Sequence, residues 1–212
     1  ELRPYLDLAL AHVYVLNSEV WRWGGGSPTK LTDAAAEEKL PEWSPERLPA
    51  SLEALFTRVL AASDLLKSEP VENWAGILPK GTMPDSCRPP LYDLAVHDIL
   101  DFYGKNVPDK TLEKGLALLD GLIEFHRDDA DIDALADARL SRLVYEDSFA
   151  ELPWKEKEAR YAAALDGFIA EYLEKTEIGA LAVYYRAQRL KQAGELVKAR
   201  ELALQGSARW PK

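Results

Sequence analysis

The chain has 212 residues, enough to bury a sizeable hydrophobic core. Its 36 acidic residues against 26 Lys and Arg give a formal net charge of -10, which disfavours binding to nucleic acid or to an anionic membrane surface. The single cysteine, Cys87, cannot form an internal disulfide, and no apolar run reaches the roughly 18 residues that a membrane span needs. The first residues, Glu-Leu-Arg-Pro, are neither a start methionine nor a signal peptide, so we expect a piece of a longer polypeptide.

Apolar residues recur at helical spacing along almost the whole chain, which predicts an all-α protein. A first helix is expected over residues 4–23, followed by a long polar connector that ends near Pro45. A second helix is expected over residues 45–68 and a short one over residues 71–78. A proline-rich loop then leads to a helix that begins at Pro89-Pro90 and ends near Gly104.

The spacing of apolar residues in the C-terminal half predicts paired helices. Residues 111–127 and 132–147 are expected to form one antiparallel pair, followed by a helix over residues 153–175. The last pair matches one tetratricopeptide unit, in which small residues let two helices approach closely. The matching residues are Val183, Ala187, Leu190, Gly194, Ala199, Ala203, Gly206 and Pro211. Because the pattern does not recur cleanly about 34 residues earlier, we expect irregular antiparallel helical hairpins in a tetratricopeptide-like right-handed solenoid.

The expected domain organisation is one elongated helical domain over residues 1–212. Within it, residues 1–104 form a half with long loops, and residues 105–212 form the tetratricopeptide-like half.

The most informative stretch is residues 88–103, which reads Arg-Pro-Pro-Leu-Tyr-Asp-Leu-Ala-Val-His-Asp-Ile-Leu-Asp-Phe-Tyr. It resembles the pattern R-P-T-L-Y-D-F-L-A-H-x-A-L-D-F-F in the helical N-terminal region of bacterial, Bacteroidetes-type alpha-2-macroglobulin-like proteins. The similarity covers most of residues 6–101 in order, including Trp21-Arg22-Trp23 and Trp43-Ser44. The chain departs from the pattern at Leu94, where the family has Phe, and at Ala95-Val96, where it has Leu-Ala.

Proteins of this family are large, exported and often membrane-anchored, and they resemble eukaryotic alpha-2-macroglobulins that entrap proteases. The resemblance implies a non-catalytic scaffold or interaction domain, without cofactor or metal, in the periplasm or at the outer cell surface. Its partners would be other domains of the parent protein, further proteins or proteases. Cys87 is followed by Arg88 and so is not the cysteine of a Cys-Gly-Glu-Gln thioester. The alternative interpretation is a free-standing tetratricopeptide-like adaptor that binds proteins.

Asp93, His97 and Asp101 lie at i, i+4 and i+8 and therefore share one face of the motif helix. A histidine between two carboxylates could act in a hydrolase or begin a metal site. One helix cannot complete a metal shell, and His12 and His126 are the only other histidines. A hydrogen-bonded structural histidine is therefore the favoured interpretation, and the hydrolase is a third functional hypothesis.

Three further patterns in the sequence are candidate sites. The acidic run at residues 128–133 lacks the glycine and the glutamate of a calcium loop, so we expect it to cap the following helix. The glycines before Lys30 lack the order of a phosphate-binding loop. Trp21, Trp23 and Trp43 surround the first connector and are candidate partner-binding residues, although packing of the connector against the core is favoured.

Overall fold

The computed structural model describes the backbone of residues 2–23, 48–78, 83–106 and 111–211. In these ranges the chain forms nine α-helices and two short 3-10 helices, and no strand longer than an isolated bridge between Pro70 and Pro90. The prediction of an all-α protein is confirmed. The chain divides into two compact units, one of Glu1–Gly81 with Pro90–Pro108 and one of Thr82–Pro89 with Asp109–Lys212. The single elongated domain over residues 1–212 stays a prediction.

The first unit contains four α-helices, α1 (Arg3–Trp23), α2 (Leu48–Ala61), α3 (Ser63–Lys67) and α4 (Leu91–Asn106). Helix α4 contacts each of the other three, so its apolar face forms the centre of this unit. That face includes Ala95, Val96 and Ile99, all fully buried. The motif of residues 88–103 therefore supplies the core of the first unit, as its helical spacing predicts.

Two predicted helices differ from the structure. The helix expected over residues 45–68 is broken at Ala62, whose φ of -106° and ψ of 22° are not helical. Leu66, in the short helix α3 after the break, is fully buried. The short helix expected over residues 71–78 is a 3-10 helix, Val71–Trp74, followed by a turn. This segment is held by stacking of Trp74 on Tyr5, with ring centroids 4.9 Å apart.

The second unit contains α5 (Thr111–Phe125), α6 (Asp133–Phe149), α7 (Trp154–Tyr172), α8 (Glu177–Gln192) and α9 (Leu196–Arg209). Each helix contacts the next one in the chain. Arg142 on α6 binds Asp120 on α5 at 2.6 Å, whereas Tyr145, one turn later, packs on Gly115, earlier in α5. Later residues of α6 therefore contact earlier residues of α5. The two helices are antiparallel, as predicted.

The core of the second unit lies between α6, α7 and α8. Four side chains on one face of α7 are buried here, Tyr161, Leu165, Phe168 and Tyr172. Cys87 lies in this core too, because the 3-10 helix Asp85–Cys87 packs on α6. Arg88 fixes that segment through a 2.9 Å ion pair with Asp137, a carboxylate buried on α6.

Candidate functional site

The candidate site is a groove along α8 and α9, and it is positioned first by the turn between α7 and α8. Thr176 is buried and caps α8 by accepting a hydrogen bond from the amide of Ile178 at 3.2 Å. A Cβ atom at Gly179 would lie 2.4 Å from the backbone Cα of Leu173, so only glycine allows this close approach. The start of α8 is therefore held against the end of α7.

The turn between α8 and α9 has a Schellman geometry. Gly194 has a φ of +82°, which favours glycine, and its amide donates to the carbonyl of Lys191. The amide of Glu195 donates to the carbonyl of Leu190 at 2.9 Å. These two bonds satisfy carbonyls at the end of α8 and reverse the chain, which places α9 alongside α8.

The two helices approach each other closely at Gly206. A Cβ atom at this position would lie 2.8 Å from Cγ1 of Val183. Ala187 on α8 and Ala199 on α9 are also buried, each with less than a tenth of its surface exposed. Small residues at these positions were predicted from the tetratricopeptide spacing, and the structure places all of them at buried positions.

The far end of α9 is fixed to the turn between α7 and α8. The indole Nε1 of Trp210 donates to the carbonyl of Leu173 at 2.8 Å, and Arg209 binds the carboxylate of Glu174 at 2.7 Å. A second bond joins Arg209 to the Glu174 carbonyl. Both ends of α9 are thus held, so the groove has fixed walls.

The opposite face of α8 is fixed by Arg189. Its guanidinium binds Asp147 of α6 and Glu158 of α7, and it lies 4.8 Å from the centroid of the Tyr161 ring. Burial and the nearby Asp147 raise the pKa of Tyr161 to about 12, so this phenol stays protonated at neutral pH. Three helices are thus joined behind the groove.

The groove has a volume of about 940 Å³ and is lined mainly by apolar side chains of α8 and α9. These include Leu181, Tyr184, Ala187, Leu196, Ala203 and Trp210. Tyr184 is 54% exposed and Leu196 is 62% exposed, so the lining is accessible to a partner. The rest of α9 is equally uncovered, because it buries only Ala199 and Gly206.

Two cations lie among the lining residues, Lys191 near the end of α8 and Arg200 on α9. Both are exposed, and within the described part of the chain neither has an acidic partner. Glu177 lies at the other end of α8 and also lines the groove. The groove is therefore apolar along its length, basic near the α8–α9 turn and acidic near the start of α8.

The predicted partner-binding tryptophans fall elsewhere. Trp43 lies outside the described residues, as do the side chains of Trp21 and Trp23, whose backbone belongs to α1. Exposed apolar residues recur at helical spacing at Leu2, directly before α1, and at Leu6, Leu10, Val13 and Leu16 in its described part. The role of the three tryptophans stays a prediction.

The structure places Asp93, His97 and Asp101 in different environments. Asp93 is buried with 1% of its surface exposed, His97 is half-buried, and Asp101 is exposed and binds Lys105 at 3.3 Å. Helical spacing aligns the three residues but does not set how deeply each one is buried. Within the described residues, no group of three or more His, Cys, Asp or Glu side chains could hold a metal ion.

His12, which the sequence reasoning missed, has a buried carboxylate partner. Its Nδ1 lies 2.9 Å from the Asp98 carboxylate, and both side chains are buried between α1 and α4. The hydrogen bond to Asp98 raises the pKa of His12 against the opposing effect of burial. Burial raises the pKa of Asp98, although the contact with His12 acts in the other direction. His12 lies on the buried face of α1 with Leu8, Ala11 and Val15. Its place among apolar residues at helical spacing was the feature of the sequence that could have indicated a buried histidine.

The remaining predicted features have structural contacts. In the acidic run, Asp131 accepts a hydrogen bond from the amide of Asp133 at the start of α6, which agrees with a capping role. Asp129 binds the buried His126 at 2.7 Å. Burial, with Asp137 and Asp133 nearby, raises the pKa of the Cys87 thiol to about 12. This thiol is therefore protonated and unreactive in the folded chain.

Comparison with known proteins gives no family and no relative. No family model, no curated protein and no solved structure matches the chain. A search of the described helices also finds none that is both long enough and apolar enough to cross a membrane.

Proposed function

We propose that the chain is a non-catalytic interaction domain that binds a protein segment through the groove along α8 and α9. The groove itself carries this proposal, because it combines exposed apolar side chains with walls that are fixed at both ends. Apolar surfaces of this kind, rimmed by polar residues, are typical of protein-binding sites.

The tetratricopeptide-like solenoid belongs to the same proposal. It is supported by the antiparallel pairing of α5 with α6 and by the close approach of Val183 to Gly206. In a solenoid each hairpin buries its face on a neighbour, and terminal hairpins that lack one carry a polar outer face. The outer face of α9 is apolar at Leu196, Val197 and Leu204, each more than half exposed. A hairpin with this surface has room for one more packed element.

The parent protein is proposed from the motif of residues 88–103. Its resemblance to the helical region of alpha-2-macroglobulin-like proteins supports a scaffold of an exported protease-trapping protein, located in the periplasm or at the outer cell surface. The partners would then be other domains of that protein or proteases. The remainder of the gene tests this assignment. Macroglobulin-type sandwich domains downstream are expected, and a gene that lacks them would favour the free-standing adaptor.

A matched pair of variants tests the groove. Ala203 and Gln205 both lie on α9 and both are exposed, but only Ala203 lines the groove. Random peptides of about 16 residues, long enough to span a helix of this size, would be displayed on phage and selected on the wild-type chain. Enriched clones should bind the wild type and Gln205→Arg equally, and lose at least about tenfold in affinity for Ala203→Arg. Failure to enrich any clone, or equal binding to both variants, would overturn the proposal.

A further inference from the structure

We propose that the occupant of the groove is an amphipathic α-helix that carries one or two acidic side chains at the end beside Lys191 and Arg200. This inference rests on the proposed function and adds the conformation and the charge of the partner. It follows from the lining of the groove, from its length and from the distribution of ion pairs in the second unit.

The lining favours a helix over an extended peptide. Both walls are α-helices, whose backbone groups are already bonded within each helix. An extended peptide would find no free sheet edge here, and its own amides and carbonyls would face apolar side chains such as Leu181, Leu196 and Ala203. A helix satisfies its backbone internally and presents only side chains. The wall formed by α9 has 14 residues, or about 21 Å, so a partner helix of four turns would fill it.

The distribution of ion pairs in the second unit indicates the charge of the partner. Most arginines here already have an acidic partner within the described residues, and these are Arg88, Arg127, Arg139, Arg142, Arg160, Arg186, Arg189 and Arg209. Lys198, close to the groove but outside its lining, is paired with Glu195. Among the described residues of the second unit, Arg200 and Lys191 have no such pair, and the same is true of Lys155, Lys157 and Lys175. Of these cations, Lys191 and Arg200 are the two that line the groove. They lie on either side of the α8–α9 turn, at one end of the groove.

The charges elsewhere limit how acidic the partner is. Glu177 lines the other end of the groove, so an acidic residue there would be repelled. The net charge of -10 also disfavours a uniformly acidic segment. A helix with one apolar face and acidic residues only at the end beside Lys191 and Arg200 fits the apolar lining, the two cations and the carboxylate of Glu177. These charges then fix the direction in which the helix lies.

Four synthetic peptides of about 16 residues test the proposal by fluorescence anisotropy. Three share one amphipathic helical pattern and carry two Glu, two Gln or two Lys at one end, and the fourth is the Glu peptide with a central proline that prevents a continuous helix. We expect the Glu peptide to bind the wild type at least about tenfold more tightly than the Lys peptide, with the Gln peptide between them. The proline peptide should lose at least about tenfold. The preference for the Glu peptide over the Lys peptide should shrink when salt is raised from about 50 to about 300 mM.

Variants of the chain locate the effect. The double variant Lys191→Gln/Arg200→Gln should bind the Glu and Gln peptides equally, whereas Lys198→Gln should behave as wild type. Circular dichroism of each variant confirms that it is folded. If the three helical peptides bind alike and Ala203→Arg still abolishes binding, the proposed acidic end of the partner is wrong and the proposed function stands. If the proline peptide binds as well as the Glu peptide, the helical occupant is wrong. If no peptide binds, the inference fails, and the display selection then decides the proposed function separately.

Discussion

Replacing Gly206 with alanine tests the close approach of α8 and α9, on which the groove depends. The new methyl group would lie 2.8 Å from Cγ1 and 3.3 Å from Cβ of Val183. Rotation of the valine side chain gives little relief, because its other methyl, Cγ2, is only 3.7 Å from the same point and Cβ does not move. The helices must therefore separate by a few tenths of an ångström.

The expected magnitude is the balance of two effects. Alanine in place of glycine within a helix stabilises it by about 1 kcal/mol. Overpacking of a buried contact costs about 1 to 3 kcal/mol. Gly167 on α7 supplies the matched control, because a Cβ atom there would meet nothing within 4 Å. Gly167→Ala should gain about 1 kcal/mol, so the two variants should differ by about 1 to 3 kcal/mol in the free energy of unfolding.

Urea unfolding followed by far-ultraviolet circular dichroism measures both variants under the same conditions. For a chain of this size, the difference corresponds to a gap in Tm of about 2 to 4 °C per kcal/mol. Adding Val183→Ala to Gly206→Ala should remove the clash, so the two changes together should cost less than the sum of the single ones. If Gly206→Ala stabilises the chain as much as Gly167→Ala does, the helices are not packed at this point, and the tetratricopeptide-like hairpin is refuted.

Two further predictions concern buried titratable groups. The Asp98 contact raises the pKa of His12 above 6.5, so the folded chain holds this proton more tightly than the unfolded chain does. The stabilisation of the fold by protonated His12 is complete below pH 6.5 and is lost as the pH rises through the pKa of His12 in the folded chain. Urea titrations at about pH 6 and about pH 9 should therefore show a fall in the free energy of unfolding for the wild type and a much smaller fall for Asp98→Asn. With a pKa raised from 9.0 to about 12, Cys87 should react with a disulfide reagent at about pH 8 at least about 30-fold more slowly than in urea, because the loss of thiolate outweighs the higher nucleophilicity of a more basic thiolate. Equal rates in the two states would show that the thiol is accessible.

The helices were predictable because most of them bury one apolar stripe, and a stripe at helical spacing is visible in the sequence. Helix α7 illustrates this, since Tyr161, Leu165, Phe168 and Tyr172 lie on one face and are buried together. The break at Ala62 was not predictable in the same way. Leu52, Val59 and Leu66 continue one stripe through it, so the spacing of the apolar residues gives no sign of the break.

The groove was predictable only in part. The spacing of Ala187, Ala199 and Gly206 indicates that α8 and α9 pack closely, and the structure agrees. The cations of the groove could not be identified from the sequence, because Lys191 and Arg200 resemble other exposed basic residues until the structure shows which of them line the groove. The same holds for His12 and Asp98, which are 86 residues apart and meet only when α1 packs on α4.

The motif and the groove support the proposed function independently. The resemblance is carried by most of residues 6–101 and only more loosely by the helical remainder, whereas the lining of the groove, apart from Met83 and Pro84, lies between Glu177 and Trp210. Within the motif itself, Arg88 is used to hold a segment of the second unit and Leu91–Asn106 to fill the core of the first, so its residues are engaged in packing. The motif therefore bears on the parent protein, and the groove bears on what this domain binds. A gene without macroglobulin domains would remove the first inference and leave the second intact, since the apolar walls and unpaired cations of the groove require no particular parent.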